Sequence, residues 1–410
     1  MFFILILSSF LALASYVYAR GYQALPPSAI IKIIYSLIYI AGFLAFILRM
    51  YYGDKIEERY AVVLSNIGFT FIIAFVYFAI IAFGIDLIRI ANHFLHVFPD
   101  IIIRNWAITK QVVLGVSVLS VLILLIIGRH NFNNPEVTKY ELTTEKQLPG
   151  GKLRIVLVSD IHLSFHINVN NLKRYVDLIN EQNGDVVLLA GDIADRDIRP
   201  LVEQKMDLEL ARINAPMGVF SITGNHEYYG GTKDEIYQLI KSAGITMLID
   251  SAYISPHGFA IVGRDDLTNH RRAPLDSIMK YIGNETPVIL LDHQPKKLND
   301  AVKNRVDLQL SGHTHQGQFW PGSLVTAAMF DLAYGHRKIG NTDFIVTSGL
   351  GLWGPKYRIG TKSEVVVIEW KQLPASAGSA TTKSSTTESS ETTSTESSST
   401  GTATSSTRHQ

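Results

Sequence analysis

Cysteine is missing from this chain altogether. That excludes disulfides, thiolate metal sites and a cysteine nucleophile, while saying little about compartment. Any metal must be held by His, Asp, Glu or Asn. A surplus of charge is missing too: 37 Lys and Arg stand against 36 Asp and Glu, a formal net charge of +1. Such balance leaves no basic footprint for nucleic acid and no polybasic patch for a membrane surface. What is present is unevenly spread over the 410 residues. The first third is strongly apolar, the middle has an ordinary globular mixture, and the end is polar and repetitive.

Four long apolar runs precede residue 130, at about 2–19, 29–48, 62–87 and 112–127. Each approaches or exceeds the ~18 residues of a membrane-spanning helix. Four in so short a stretch are too much apolar surface for a soluble domain. The first run ends in Val17-Tyr18-Ala19, which has the look of a signal cleavage site, but no basic residue precedes it. An uncleaved helix is therefore expected. Basic residues are shared among the loops almost evenly: Arg20 and Lys32, then Arg49, Lys55 and Arg59, then Arg104 and Lys110, with Arg129 after the last run. Arg20 tips the balance towards an outside N-terminus, which with four spans puts the C-terminal domain outside as well. Asp86 and Arg89 stand one turn apart near the end of the third run, where local pairing within an anchor is the simpler role and a transport path the alternative. His93 and His96 read as interfacial residues.

Turn formers crowd residues 129–151, the expected linker, with weak alternation at 137–143 that would suit an edge strand. Beyond it, apolar runs suited to buried strands recur at 155–158, 185–190, 218–223, 259–263, 287–291, 306–310, 344–347 and 365–368. Helical periodicity fills 172–183, 201–212 and 235–242. Strand, helix, strand at this spacing is a βαβ unit and predicts an α/β fold. In such sheets ligands bind beyond the carboxyl ends of the strands. Five of those ends carry Asp160 and His162, Asp192, Asn225 and His226, His293, and His313 with His315. Residues two apart on an extended backbone leave on the same side, so each Asp-x-His or His-x-His pair would converge. Carboxylate, amide and imidazole donors together suit divalent transition metals.

In this order, Asp-x-His, Gly-Asp-x-x-Asp, Gly-Asn-His-Glu, an isolated His and Gly-His-x-His resemble the calcineurin-like metallophosphoesterases. The resemblance spans about 152–370, and is nearest to bacterial membrane-associated phosphodiesterases that carry Ser-Asp-Ile-His-Leu and Gly-Asn-His-Glu-Tyr-Tyr, here 159–163 and 224–229. It implies a four-layered αββα sandwich behind a four-helix transmembrane region. It implies that Asp160, His162 and His315 hold one metal, that Asn225, His293 and His313 hold another, and that Asp192 bridges them. His226 would contact phosphate and protonate the leaving oxygen, with Asp195 orienting it. Gln316 stands where near relatives often have Gly, which touches substrate fit but not the metals. Arg196 follows Asp195 as in the protein-phosphatase branch, where that Arg binds phosphate, but the flanking sequence differs, and a surface salt bridge is the expected role.

The domain plan read from the sequence is thus a transmembrane region at 1–128, a linker at 129–151, a metallophosphoesterase domain at 152–370 and a disordered Ser/Thr-rich tail at 371–410. The expected function is hydrolysis of a phosphodiester or lipid-linked phosphate at the cell membrane, by in-line attack of a metal-bound hydroxide. Two divalent ions, manganese, iron or zinc, are the implied cofactors. The partners are a phosphorylated small molecule or lipid and the membrane, with no nucleic acid. A membrane sensor or transporter with a regulatory metal domain is the competing class, and predicts missing ligands where every ligand position is filled. Trp353, Tyr357 and Arg358 are candidates for the pocket wall, and Phe319 and Trp320 for an apolar rim, with core or surface packing an equal alternative for each.

Overall fold

The computed structural model describes residues 2–52 and 56–374. Lys55, counted above among the loop charges, and the tail from 375 onward lie outside the described residues. The apolar third folds into α1 (Phe2–Ala24), α2 (Ala29–Tyr52), α3 (Glu58–Leu95), the short α4 (Asp100–Arg104) and α5 (Trp106–Asn133). Of these, α2, α3 and α5 are long and apolar enough to cross a membrane. Small residues let them approach. A Cβ added to Gly68 on α3 would lie 2.6 Å from the Phe46 Cα on α2.

The rest contains strands β1 (Glu136–Thr144), β2 (Lys152–Val158), β3 (Val186–Leu189), β4 (Val219–Ser221), β5 (Thr246–Met247), β6 (Ser251–Ile254), β7 (Ala260–Gly263), β8 (Val288–Leu291), β9 (Leu308–Ser311), β10 (Gly335–Ile339), β11 (Thr342–Val346) and β12 (Glu364–Gln372). They form two six-stranded sheets, ordered β1-β12-β2-β3-β4-β5 and β10-β11-β9-β8-β7-β6. β2 to β5 run parallel to one another, and so do β7, β8, β9 and β11. β3, β8 and β2 from Ile155 onward are apolar on both faces, as parallel strands covered on both sides tend to be, while β9 is buried on both faces but carries Gln309 and Ser311 on one of them. One face of each sheet shares a core that holds Leu157, Leu188 and Phe220 with Ile261, Leu291 and Leu310. The outer face of the first sheet packs on helix α6 (Val169–Glu181) through Leu172 and Val176. The outer face of the second packs on helices 275–279 and 298–303.

The stretch expected to be one helix at 201–212 is two short helices, Arg199–Glu203 and Met206–Leu210, broken at Lys205, whose φ is 51°. β5, β6 and β10 carry no apolar run and were not expected. The weak alternation at 137–143 is β1, an edge strand in register with β12.

The apolar helices and the sheets pack against each other inside one compact unit. The Tyr77 hydroxyl on α3 donates to the Trp320 carbonyl at 2.7 Å. Thr70 and Tyr357 share a hydrogen bond of 2.8 Å. Ile73, Tyr77 and Val121 form a buried cluster with Ile359. At the end of α5, the Arg358 amide donates to the Gly128 carbonyl, and Asn131 Nδ2 donates to the Arg358 carbonyl.

Candidate metal centre

Five parallel strands, three in one sheet and two in the other, end along one rim. Beyond β2, β3, β4, β8 and β9 come Asp160/His162, Asp192/Asp195, Asn225/His226, His293 and His313/His315. The convergence does not arise from extended backbone. Asp160, His162, Asp192, His313 and His315 all take positive φ, from 49° to 71°. This left-handed region is uncommon for residues with a Cβ and costs of order 1 kcal/mol or more each. It is over-determined by neighbours: the Asp160 and His162 amides donate to the Gly191 and Asp192 carbonyls, both at 3.0 Å. The motif glycines are needed for close approach. A Cβ on Gly224 would fall 2.1 Å from Asp192 Oδ1, and one on Gly312 would fall 2.3 Å from Asp160 Oδ2.

Two donor sets result. In the first, Asp160 Oδ1 lies 3.4 Å from His315 Nε2 and 3.8 Å from His162 Nε2, and the two Nε2 atoms are 3.2 Å apart. In the second, Asn225 Oδ1 lies 2.8 Å from His313 Nδ1 and 3.2 Å from His293 Nε2. Asp192 Oδ2 stands between them, 3.2 Å from His293 Nε2 and 3.7 Å from His162 Nε2. The seven residues proposed as ligands are thus brought together. All but His313 are buried, and His313 is partly so.

The donor chemistry fits cations. His293 Nδ1 lies 2.7 Å from the Ala190 carbonyl, an obligate acceptor, so that nitrogen carries the proton. Its Nε2 faces two oxygens, Asn225 Oδ1 and Asp192 Oδ2, so the place between them takes a positive charge. That charge is the ring's own second proton, which burial works to expel but the Asp192 charge holds on well above the ordinary range, or a cation that replaces it. Donor separations of 2.8–3.8 Å are close to the polyhedron edges, about 3.0–3.5 Å, of an ion with bonds of about 2.0–2.2 Å. Backbone carbonyl support of an imidazole ligand is also the usual outer shell of a metal site.

Burial is the largest influence on His162 and pulls its pKa down. The carboxylates of Asp160, Asp195 and Asp192 outweigh it and hold the group up at about 10. Burial pulls His313 down to about 4, with the neighbouring His293 adding to the effect. Without a cation, His162 therefore keeps its proton up to about pH 10. Coordination requires the neutral ring, so cation uptake must expel that proton. Apparent metal affinity is expected to rise at least tenfold per pH unit between about pH 7 and 9, with one proton released from His162 and a further one from His293, which, against the pull of burial, the Asp192 charge also holds well above the ordinary range. Calorimetric titration of the full chain in two buffers of different ionisation heat reads both quantities. A pH-independent affinity would remove His162 from the coordination shell.

Beside the two sets, His226 Nδ1 lies 2.6 Å from Asp195 Oδ1, so its Nε2 is the nitrogen left for a substrate. The Asp195 carboxylate is desolvated, but hydrogen bonding to His162 and His226 holds it below the usual range. Glu227 is the residue whose role the sequence reading missed. Its carboxylate accepts from the amides of Gly224 at 2.7 Å, Ala194 at 3.0 Å and Asp192 at 3.2 Å. It ties the loop after β3 to the loop after β4 and so sets Asp192 against Asn225. The only signal for this was a buried-type acid inside the Gly-Asn-His-Glu motif.

A cavity of about 110 Å³ opens beside His226. Asp195, Arg196 and Trp353 line it from the sheet domain, and Arg49, Ser65 and Phe69 from α2 and α3. Arg196 also lies over the Tyr229 ring, 5.6 Å from its centre. Arg358 does not line the cavity. It is fully buried and donates to the carbonyls of His315, Ser348, Gly349 and Gly351 at 2.6–3.0 Å. Tyr357 is engaged with Thr70 instead. Phe319 packs against the cluster of Tyr77 and Ile359. Trp320, half-exposed, leads into the short helix Gly322–Met329, which turns Leu324, Val325 and Met329 outward.

A family profile described as calcineurin-like phosphoesterase matches residues 153–317. A zebrafish (Danio rerio) protein named "Transmembrane protein with metallophosphoesterase domain" is 32% identical over 277 residues, covering 62% of this chain and 63% of that protein. The chain therefore spans less than two thirds of that relative. An "Uncharacterized metallophosphoesterase" of Campylobacter jejuni is 31% identical over 272 residues, 63% of this chain and 69% of its own length. A protein of the same description from Aquifex aeolicus is 31% identical over 242 residues, 57% of this chain and 91% of its own.

Proposed function

The chain belongs to the calcineurin-like metallophosphoesterases, and from that premise we propose that it is a multi-pass membrane hydrolase acting on phosphodiesters or lipid-linked phosphates. The observation that carries the reading is the seating of Asp192 Oδ2 between His293 Nε2 at 3.2 Å and His162 Nε2 at 3.7 Å, one carboxylate facing both donor sets. Asp160, His162 and His315 would hold one divalent ion, Asn225, His293 and His313 the other, with Asp192 shared; manganese, iron and zinc all suit these N and O donors. Such a pair supplies Lewis-acid charge and a water acidic enough to act at neutral pH.

The chain's own groups supply the rest. His226, oriented by Asp195, presents Nε2 to the cavity and is placed to protonate the leaving oxygen. Glu227 fixes the loops that carry Asp192 and Asn225, so the charged groups need no rearrangement as phosphoryl charge develops. Arg196 stands at the cavity mouth as a counter-charge for phosphate.

Two features favour a membrane-borne substrate. Arg49, Ser65 and Phe69 of the apolar helices form part of the cavity wall. The exposed Leu324, Val325 and Met329 lie on a helix two residues after Trp320, which is bonded to α3. On this reading α1 joins α2, α3 and α5 as a fourth span, the sheets with their outer helices are the four-layered αββα sandwich, and the catalytic domain faces outward.

The test uses full-length protein in detergent with Mn, Fe or Zn, against bis-p-nitrophenyl phosphate, p-nitrophenyl phosphate and phosphatidic acid vesicles. Hydrolysis that stops on chelation is expected. His226→Ala should lower kcat about 10²–10⁴-fold while leaving bound metal unchanged. Failure to cleave any of the three with any metal would reject the reading.

A further inference from the structure

The apolar helices hold a second cavity, of about 470 Å³, among α1, α2, α3 and α5. Its wall is mostly hydrocarbon, including Phe75, Phe78, Ile81 and Val118. One end is charged by Arg20, Asp86, Arg89 and Lys110. That end lies far from the metal centre. Lys110 is near the start of α5, and Gly128, which contacts Arg358, is about 27 Å further along at 1.5 Å per residue.

The charges there do not balance. Asp86 is already satisfied, by Arg20 Nη2 at 2.6 Å, Arg89 Nη1 at 3.0 Å and the Tyr16 hydroxyl at 2.8 Å. One carboxylate, paired with two of them, stands against the three cations Arg20, Arg89 and Lys110, leaving a surplus of two positive charges. Arg20 Nε is buried with no hydrogen-bond partner. Lys110 Nζ donates to the Gln23 carbonyl at 3.2 Å, which uses one of its three protons. Uncompensated cations inside a membrane segment are costly, and basic pockets between spans recognise anionic head groups. The volume is in the range of small-ligand sites. An anion with an apolar tail satisfies both ends at once.

We propose that this cavity binds one anionic phospholipid, its phosphate held by Arg20, Arg89 and Lys110 and an acyl chain lying among Phe75, Phe78, Ile81 and Val118. The site is separate from the metal centre and does not depend on what that centre hydrolyses. It gives the helical region a lipid-binding role besides anchoring.

The test is native mass spectrometry of the full chain released from nanodiscs of equimolar dioleoyl phosphatidylglycerol and dioleoyl phosphatidylcholine. One phosphatidylglycerol should stay bound where phosphatidylcholine does not. Lys110→Gln should weaken its retention about tenfold, the size of one charge-assisted hydrogen bond. Lys110→Arg should restore it. Ala82→Phe, which fills the apolar part, should abolish it. Equal retention of the two lipids, or retention unchanged in both Lys110→Gln and Ala82→Phe, would overturn the proposal. So would displacement by glycerol phosphate, since a soluble anion would then suffice. If Ala82→Phe fails to fold, the Lys110 pair decides alone.

Discussion

Asp192→Asn is expected to lose about 10³-fold or more in metal-dependent phosphate ester hydrolysis, the scale of deleting a preorganised charge at a reacting centre. The substitution keeps shape. Asparagine can still accept from the His226 amide, which now reaches Asp192 Oδ1 at 2.9 Å. What disappears is the negative charge that faces His293 and His162 together. Bound metal, measured by elemental analysis, should fall with the rate. The cation-free variant is expected to be modestly less stable than the parent. Burial pushes Glu227 up to about 7, with the Asp192 charge adding to it. The Asp192 carboxylate, though desolvated, is itself held below the usual range by His293 and His162, so removing its charge relieves one buried repulsion and loses stronger attractions. Full activity with a full metal complement would remove Asp192 from the centre. A collapse of the melting temperature would make its role structural.

Arg358→Ala should be the most damaging change outside the donor sets. Arg358 is completely buried, and desolvation lowers its pKa only to about 10, so it stays charged at neutral pH. Four carbonyls surround its guanidinium, one of them from His315 and three from the turn 348–351. That turn bears on the centre directly, since a Cβ on Gly349 would lie 2.7 Å from the Asp160 Cβ. Truncation strands four buried acceptors and opens a large cavity. A loss of roughly 3–5 kcal/mol follows, seen as a fall of about 5–10 °C in Tm. Because the same residue's backbone is bonded to Gly128 and Asn131, the loss should also loosen α5 from the sheets. Hydrogen exchange at 128–133 reads this. Parent-like exchange there, with an unchanged Tm, would contradict the assignment.

Much of the sheet domain was legible because parallel strands buried on both faces must be apolar without interruption. Hence β3, β8 and the second half of β2 stand out from their composition alone. Strands that are short or lie at an edge have no such requirement, which is why β5, β6 and β10 left no trace. Lys205 interrupts an otherwise regular helical pattern through its backbone conformation, which periodicity does not reveal. Arg358 and Tyr357 looked like pocket residues because they are polar and aromatic beside a glycine turn. Their true partners, the carbonyl of His315 and the hydroxyl of Thr70, are distant in the chain.

From the sequence alone came the donor types, their order along the chain and the apolar runs, since each depends on local chemistry: which atoms can bind a cation, and which segments water rejects. The tertiary structure decided where those atoms meet. Left-handed backbone at Asp160, His162, Asp192, His313 and His315 aims the side chains, and only packed neighbours can hold a residue in that conformation. The tertiary structure likewise decided that Arg49 and Phe69 border the cavity beside His226 and that Arg20, Asp86, Arg89 and Lys110 share another. Charge surplus is a property of a place in space, and one-dimensional counting, which balances this chain to +1, averages it away.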